Sequence, residues 1–318
     1  MTSDLLRLIF KTITFFPSFA LAALHQRISA ILHARSYVAL PPSQTKNVVV
    51  IGGSFAGYQV AKRLTETLPT GYRVVLVEKN SHLNYVFAFP RFSVARGYEE
   101  YAFIPYGGLA KSAPQGVFAQ MQDSVVDVDE EAVWLEGGEK LTYEFLVVAT
   151  GTSSGLPSKV ASADSVEAQG ELRGMQDRIA AAESIAVIGG GAVGVELASD
   201  IKDFYPEKEI TLFHSRTQLM PLFGKRLHEF VVARFGELGV KVLLEERPAL
   251  QEGGKVLKLR DGSEIVFDLI VSVPSIGRVF EAVCLHESRF HAQANAQTRP
   301  SYPHYHRPRY RSKRPTSS

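Results

Sequence analysis

Residues 47–57, NVVVIGGSFAG, constrain the fold more than any other stretch of the chain. The β-branched run 48–51 reads as a short, buried parallel strand. It stops at Gly52 and Gly53, and a helical pattern starts at about Phe55 and continues through Tyr58, Ala61 and Leu64. Strand, glycine-rich turn and helix, in that order, open a dinucleotide-binding βαβ unit. Gly52 permits the tight turn, and Gly57 lets the helix close on the strand. The helix N-terminus then offers free N–H groups and a positive dipole end to a pyrophosphate. Ser54 stands where the usual G-x-G-x-x-G has its second glycine, so the candidate contacts are Gly52, Gly53, Ser54, Phe55, Ala56 and Gly57. A second strand pattern, Tyr72–Val77, ends in Glu78, 26 positions after Gly52, where an acid hydrogen-bonds a ribose hydroxyl.

The opening pattern then repeats. A strand over Ser184–Ile188 leads into GGGAVGVE, a full G-x-G-x-x-G on Gly189, Gly191 and Gly194, and a helix runs on to about Phe204. A further strand, Glu209–Phe213, ends in His214-Ser215-Arg216. Counting 26 positions from Gly189 lands on Ser215, so this site lacks the ribose-binding acid and has Arg216 beside it. An acid there repels a 2′-phosphate, and a cation accepts one. The spacing therefore predicts that NADPH serves at least as well as NADH. Two dinucleotide units imply one nucleotide held permanently and one that visits. The economical assignment is FAD on the first unit and NAD(P)H on the second.

Between the units lies NSHLNYVFAFPRFSVARG, residues 80–97. In a Rossmann-type domain this loop sits above the carboxyl ends of the strands, where ligands bind. Arg91 is a candidate for bidentate phosphate contact, and Phe87 and Phe89 suit ligand or core equally. YAFIPY, residues 101–106, reads as the start of a helix. Residues 116–150 read as a β-meander, with strands near Val125–Val128, Ala132–Leu135 and 141–148 and a hairpin turn at Gly137-Gly138. It closes on LVVATG, where Thr150 and the bare Gly151 let the chain cross over a bound cofactor. A Ser/Gly/Pro-rich crossover, 153–166, carries Lys159, and a helix pattern follows over 170–182. Later patterns are a helix at 227–238, a strand at 240–244, and a hairpin over 256–259 and 265–273 leading into a last buried strand.

Composition removes several function classes. The 318 residues are 45% hydrophobic and 21% charged, which suits two globular domains. Cys284 is the single cysteine, so the chain has neither an internal disulfide nor a Cys-x-x-Cys redox pair. Electrons on a flavin here would leave it directly, without a dithiol. A nucleic-acid surface needs a basic stripe with stacking aromatics on a folded face, whereas the basic regions are terminal and low in apparent structure, so nucleic acid is not expected as a partner. His304 and His306 have no second ligand cluster, so no metal is expected. Residues 5–24 are strongly apolar but carry Arg7 and Lys11, and their uncharged run, 12–24, is shorter than the about 20 residues of a membrane span. Three readings stay open: an interfacial anchor with snorkelling cations, an acid-free mitochondrial presequence, or a helix packed on the protein's own surface. Pro41-Pro42-Ser43 reads as the linker into the first strand.

This order of elements resembles the FAD-dependent pyridine-nucleotide oxidoreductase superfamily, and within it the apoptosis-inducing-factor-like branch that includes AMID-type and ferroptosis-suppressor proteins. The resemblance covers residues 47–277 and rests on VVVIGGSFAG, LVVATGTSS, AVIGGGAVGVELA and DLIVSVPSIG, with FAFPRFSV specific to the branch. It implies an α/β fold of two Rossmann-like domains, an FAD domain carrying a β-meander and an inserted NAD(P)H domain. The implied boundaries are an anchor or targeting segment and linker (1–46), the first part of the FAD domain (47–155), a crossover (156–183), the NAD(P)H domain (184–277) and an atypical tail (278–318). On that resemblance Arg91 contacts the flavin, Val125 joins the cofactor set, Lys159 lies near the flavin and Glu196 near the nicotinamide. The implied activity passes hydride from NAD(P)H to FAD and electrons to a quinone-type acceptor, in a membrane-associated protein that is mitochondrial or cytoplasmic. The superfamily's chain returns to the FAD domain through a strand ending in Gly-Asp and adds a C-terminal interface domain. No Gly-Asp follows Gly277 here, and 299–318 is basic and low in complexity, so the interface domain is expected to be missing. The alternative implied is a truncated, catalytically weak nucleotide-binding or interaction protein.

Overall fold

The computed structural model describes residues 2–152, 154–251 and 253–273. The readings placed on the end of the last strand and on the basic tail lie outside the described residues. The chain opens with one 35-residue helix, α1 (Thr2–Ser36), continuous through Pro17. Its large apolar side chains between Leu5 and Leu24 are exposed, which overturns the reading in which this segment packs on the protein's own surface. The later part of α1 does dock. Gln26 Nε2 donates to Glu66 Oε2 at 3.0 Å, His33 Nε2 lies 2.6 Å from the Leu68 carbonyl oxygen, and just beyond the helix the Tyr37 hydroxyl donates to the Tyr72 carbonyl at 2.9 Å. One helix therefore has a seated half and a projecting, apolar half.

The first unit runs β1 (Lys46–Ile51), α2 (Phe55–Thr65) and β2 (Tyr72–Val77). Next come β3 (His82–Asn84), the single turn α3 (Phe89–Phe92), β4 (Phe103–Pro105) and α4 (Gly107–Ser112). β3 and β4 pair as an antiparallel ribbon, so the helix expected over 101–106 is corrected. Pro105 disfavours helical backbone at Ile104, and the helix starts only after Tyr106. β5 (Phe118–Met121) runs parallel to β2. The meander proper is β6 (Val125–Val128), β7 (Ala132–Leu135) and β8 (Lys140–Thr142), and β9 (Phe145–Val148) returns beside β1. The main sheet has the order β5-β2-β1-β9. The expected strand 141–148 is thus two strands in two sheets. The chain crosses between them at Tyr143 and Glu144, where the Tyr143 hydroxyl donates to the Asp129 carbonyl at 2.5 Å and the Glu144 N–H to the Asn47 carbonyl at 2.9 Å.

The second unit begins at α5 (Ser165–Ala181), capped by Asp164, whose side chain accepts from the N–H groups of Val166 and Glu167. That cap starts the helix ahead of the expected Gly170. β10 (Ser184–Ile188), α6 (Ala192–Phe204), β11 (Glu209–Phe213), α7 (Lys225–Leu238) and β12 (Val240–Leu243) follow. β13 (Ala249–Leu250), β14 (Val256–Lys258) and β15 (Glu264–Val266) form an antiparallel ribbon before β16 (Leu269–Ser272). The parallel sheet has the order β12-β11-β10-β16. In both sheets the strand that precedes the glycine turn lies between its follower and the unit's last strand.

Alternation along the strands explains the layers. Val48, Val50, Val74 and Leu76 face a cluster with Ala61 and Leu109, while Val49, Ile51, Val75 and Val77 face Val133, Leu135 and Leu141 of the meander. In the second unit Ile185 and Val187 pack with Leu197 and Ile201, and Ala186 packs with Phe213, Leu257 and Phe267 on the ribbon side.

Candidate functional site

Both glycine turns are built to the same plan. Gly52 has φ +94°, and a Cβ added there would stand 2.5 Å from the Ala149 carbonyl oxygen just after β9. Gly189 has φ +132°, and its Cβ would stand 2.3 Å from the Val273 carbonyl oxygen just after β16. A Cβ on Gly57 would fall 1.7 Å from the Gly52 carbonyl oxygen, and one on Gly194 would fall 1.9 Å from that of Gly189. Each position excludes any side chain, because helix and strand touch there. Ser54 and Gly191 occupy the N-caps of α2 and α6, and neither helix has a side-chain cap. The leading N–H groups are thus left for a ligand. Around Gly191 an added Cβ would meet nothing within 4 Å, so the second turn opens onto space on its ligand side. Both turns fit a dinucleotide phosphate.

The first turn is pinned from two sides. Glu78, only 7% exposed, accepts from the Gly53 N–H at 2.5 Å, and its other oxygen accepts from the N–H and Nδ2 of Asn80 at 2.9 and 2.8 Å. The buried Tyr106 hydroxyl donates to the Gly53 carbonyl at 2.8 Å, and burial pushes that phenol's pKa up. In the second turn the Gly190 N–H donates to His214 Nδ1 at 3.1 Å. The strand register fixes the equivalence. Ile51 pairs with Val77 and Ile188 with Phe213, so Glu78 and His214 both directly follow the paired residue. The count that pointed to Ser215 is therefore corrected to His214, because one residue fewer lies between the second turn and its strand end. Nδ1 accepts a hydrogen bond, so the imidazole proton sits on Nε2, a buried atom with no hydrogen-bond partner among the described residues. Burial lowers the pKa of His214; the Gln218 backbone opposes this, and the charge of Arg216 adds to the lowering. The first turn is braced by a carboxylate, and the second by a neutral ring.

The remaining predicted residues divide. Thr150, Gly151 and Lys159 gather at the end of β9. The Thr150 Cα lies 3.1 Å from a Cβ built on Gly52, and Lys159 Nζ lies 3.9 Å from one built on Gly151. Lys159 Nζ donates to the Thr152 carbonyl, and burial, followed by the charge of Lys79, lowers its pKa. Glu196, in the first turns of α6, reaches solvent. Partial burial of its carboxyl, then Asp200, raise its pKa, and Arg91 opposes them. Phe55 and Ala56 are exposed at the start of α2. Phe87 is 67% exposed and stands 5.0 Å from the Phe55 ring and 6.0 Å from that of Tyr85. Phe89 is fully buried against Phe103 and is a core residue. Val125 packs its side chain into the meander core. Arg216 is exposed two residues past His214. Arg91 is turned to α6, where its Nη1 meets Asp200 Oδ1 at 2.5 Å. Sequence reasoning missed Tyr106, His214 and Asp200. Only His214 carried a readable signal, as the first residue after its strand.

The family model described as pyridine nucleotide-disulphide oxidoreductase matches residues 46–296. Fe-regulated protein 8 of Mycosarcoma maydis is 40% identical over 256 residues, covering 73% of this chain and 64% of the relative. Ferroptosis suppressor protein 1 of Homo sapiens is 31% identical over 239 residues, covering 71% of this chain and 61% of the relative. The chain thus spans less than two thirds of the length of either relative. Among solved structures, NDH2 from Plasmodium falciparum in complex with NADH has a TM-score of 0.59 at 13% identity, over 73% of this chain and 55% of that one. That likeness concerns the fold.

Proposed function

This chain belongs to the pyridine nucleotide-disulphide oxidoreductase family, and on that premise we propose that it is an FAD-dependent NAD(P)H oxidoreductase delivering electrons to a quinone-type acceptor. Proteins of the family bind FAD and use NAD(P)H. The observation that carries the proposal is the pair of equivalent glycine turns, each at the carboxyl end of its own parallel sheet and each closed to a Cβ at its first and last glycine. When bound, FAD supplies the two-electron chemistry, accepting hydride from NAD(P)H and passing electrons onward.

The protein's own residues bind and orient. Gly52, Gly53, Ser54, Phe55, Ala56 and Gly57 hold the FAD pyrophosphate at the N-terminus of α2, and Glu78 serves the adenosine ribose while bracing the turn. Thr150 and Gly151 let the chain pass close to the cofactor. Lys159 brings a half-buried ammonium, anchored on Thr152, beside that crossing. Gly189, Gly191 and Gly194 hold the NAD(P)H pyrophosphate, with Glu196 on the same helix toward the nicotinamide. His214 and Arg216 favour a 2′-phosphate over a bare ribose hydroxyl, because a neutral ring and a nearby cation replace the usual acid. The single cysteine supports direct transfer to the acceptor. The projecting apolar half of α1 supports attachment to a membrane, where quinones dissolve.

An assay of NADPH consumption with a soluble quinone tests this. Turnover that disappears in both Gly52→Val and Gly189→Val supports the two-site enzyme. Turnover that survives either change contradicts it.

A further inference from the structure

We propose that Arg91 and Asp200 form a positioning bridge that holds the NAD(P)H-side helix α6 against the flavin-side turn α3. The transfer role of the bridge rests on the oxidoreductase reading, whereas the mechanical tie does not.

The geometry is specific. α3 lies in the first unit, between the strands of its β3–β4 ribbon, and is anchored by buried Phe89 and Pro90. Arg91 leaves that turn and, among the described residues, its guanidinium pairs with α6. Its Nη1 is 2.5 Å from Asp200 Oδ1 and 3.7 Å from Asp203 Oδ2, and its guanidinium lies 4.8 Å from the Phe204 ring centroid. The bond joins residues 109 apart in sequence. Asp200 is 8% exposed, and its Oδ2 has no hydrogen-bond partner among the described residues. An exposed ion pair contributes little to stability, but here one member is buried, so removing the cation strands a carboxylate.

The neighbouring side-chain hydrogen bonds go chiefly to α5. Gln176 of α5 donates to the carbonyls of Phe92 and Ala95 at 2.8 and 3.1 Å and to Glu99 at 2.7 Å. Arg96 pairs with Asp177 of α5 at 2.6 Å. The loop after α3 is thus fastened to α5 by polar bonds, and its buried Val94 packs in the apolar cluster with Leu197, Ala198 and Ile201 of α6; among the described residues, Arg91 makes the salt bridge from α3 to α6. α6 begins at the second glycine turn and carries Glu196 one helical turn before Asp200. Fixing Asp200 therefore fixes the registry of that turn relative to the first unit. Transfer between two bound groups is sensitive to displacements of about 1 Å.

Asp200→Asn is the informative variant. It removes the charge pair without leaving a buried charge, so the fold is retained. Arg91→Ala removes the pair and strands Asp200, and Arg91→Asp with Asp200→Arg rebuilds the pair in reverse. The first readout, amide hydrogen exchange of the full chain, needs no cofactor. In Asp200→Asn, exchange in α3 and α6 should rise about tenfold while β1 and β10 stay protected. Unchanged exchange in α3 and α6 overturns the bridge. The second readout is the limiting rate of flavin reduction by NADPH in a single turnover. It should fall about tenfold in Asp200→Asn with little change in the NADPH concentration at half-saturation, and recover in the reversed pair. An unchanged limiting rate overturns the positioning role. If the wild-type chain binds no FAD, the oxidoreductase reading fails and the transfer role with it, while the exchange readout still decides the tie.

Discussion

At Gly190 the protein uses a histidine where Gly53 uses a carboxylate, and that exchange sets the chemistry of the second site. Both residues brace a peptide N–H of the turn, but only Glu78 has acceptor capacity left for a ribose hydroxyl. Replacing His214 with Glu should restore the acid. The KM for NADPH is predicted to rise at least about tenfold, near 1.4 kcal/mol, with that for NADH little changed. Equal KM shifts for the two nucleotides would sink the assignment. The same residue links stability to pH. Burial lowers the pKa of both His82 and His214 below 6.5, so the folded state prefers the neutral rings. Their contribution is present above that value and lost as pH falls through it toward the lower folded-state pKa. Melting temperature should therefore drop between pH 7.5 and about 5, and the slope should flatten in His82→Gln/His214→Gln. An unaltered slope in that double variant would show that other groups carry the dependence. Glu78, Gly52 and Gly189 were legible in the sequence because glycine spacing reports backbone geometry directly. Tyr106 was not, since its hydrogen bond to Gly53 depends on a ribbon between distant segments.

At the scale of elements, strands buried on both faces were the easiest to read. Tyr72–Val77, Ser184–Ile188 and Glu209–Phe213 fall where their apolar runs place them. Misreadings arose where two elements compete for one apolar run. The 141–148 run feeds both the meander and the main sheet, and periodicity carries no mark of the change of partner. Residues 101–106 read as the start of a helix, but the pairing of β3 with β4 overrides it. For α1, hydropathy identified the segment, and the structure divides it into a docked part and an exposed apolar part. The half that docks carries Gln26 and His33, whereas the half before it exposes Phe15, Phe16 and Phe19. We predict that the wild-type chain floats with anionic vesicles and that Phe15→Glu/Phe19→Glu stays in the soluble fraction with unchanged melting temperature. Flotation by that variant at wild-type levels would contradict membrane attachment through this helix.

At the scale of the molecule, the repeat is the main fact. Two sheets share one strand plan, and each ends at a turn whose first and last glycines are closed in the same way. The repetition was visible in the sequence, because the same three-glycine spacing follows the same kind of strand twice. The tie between the units was not visible, because Arg91 and Asp200 belong to separate patterns that meet only in the folded chain. We propose that these turns hold FAD and NAD(P)H in one working unit. The visible absorption spectrum of the purified chain, titrated anaerobically with NADPH, tests it most directly. Flavin bands that bleach on adding NADPH are the predicted result. A chain that is colourless, and stays so after incubation with excess FAD and removal of the unbound excess, would contradict it.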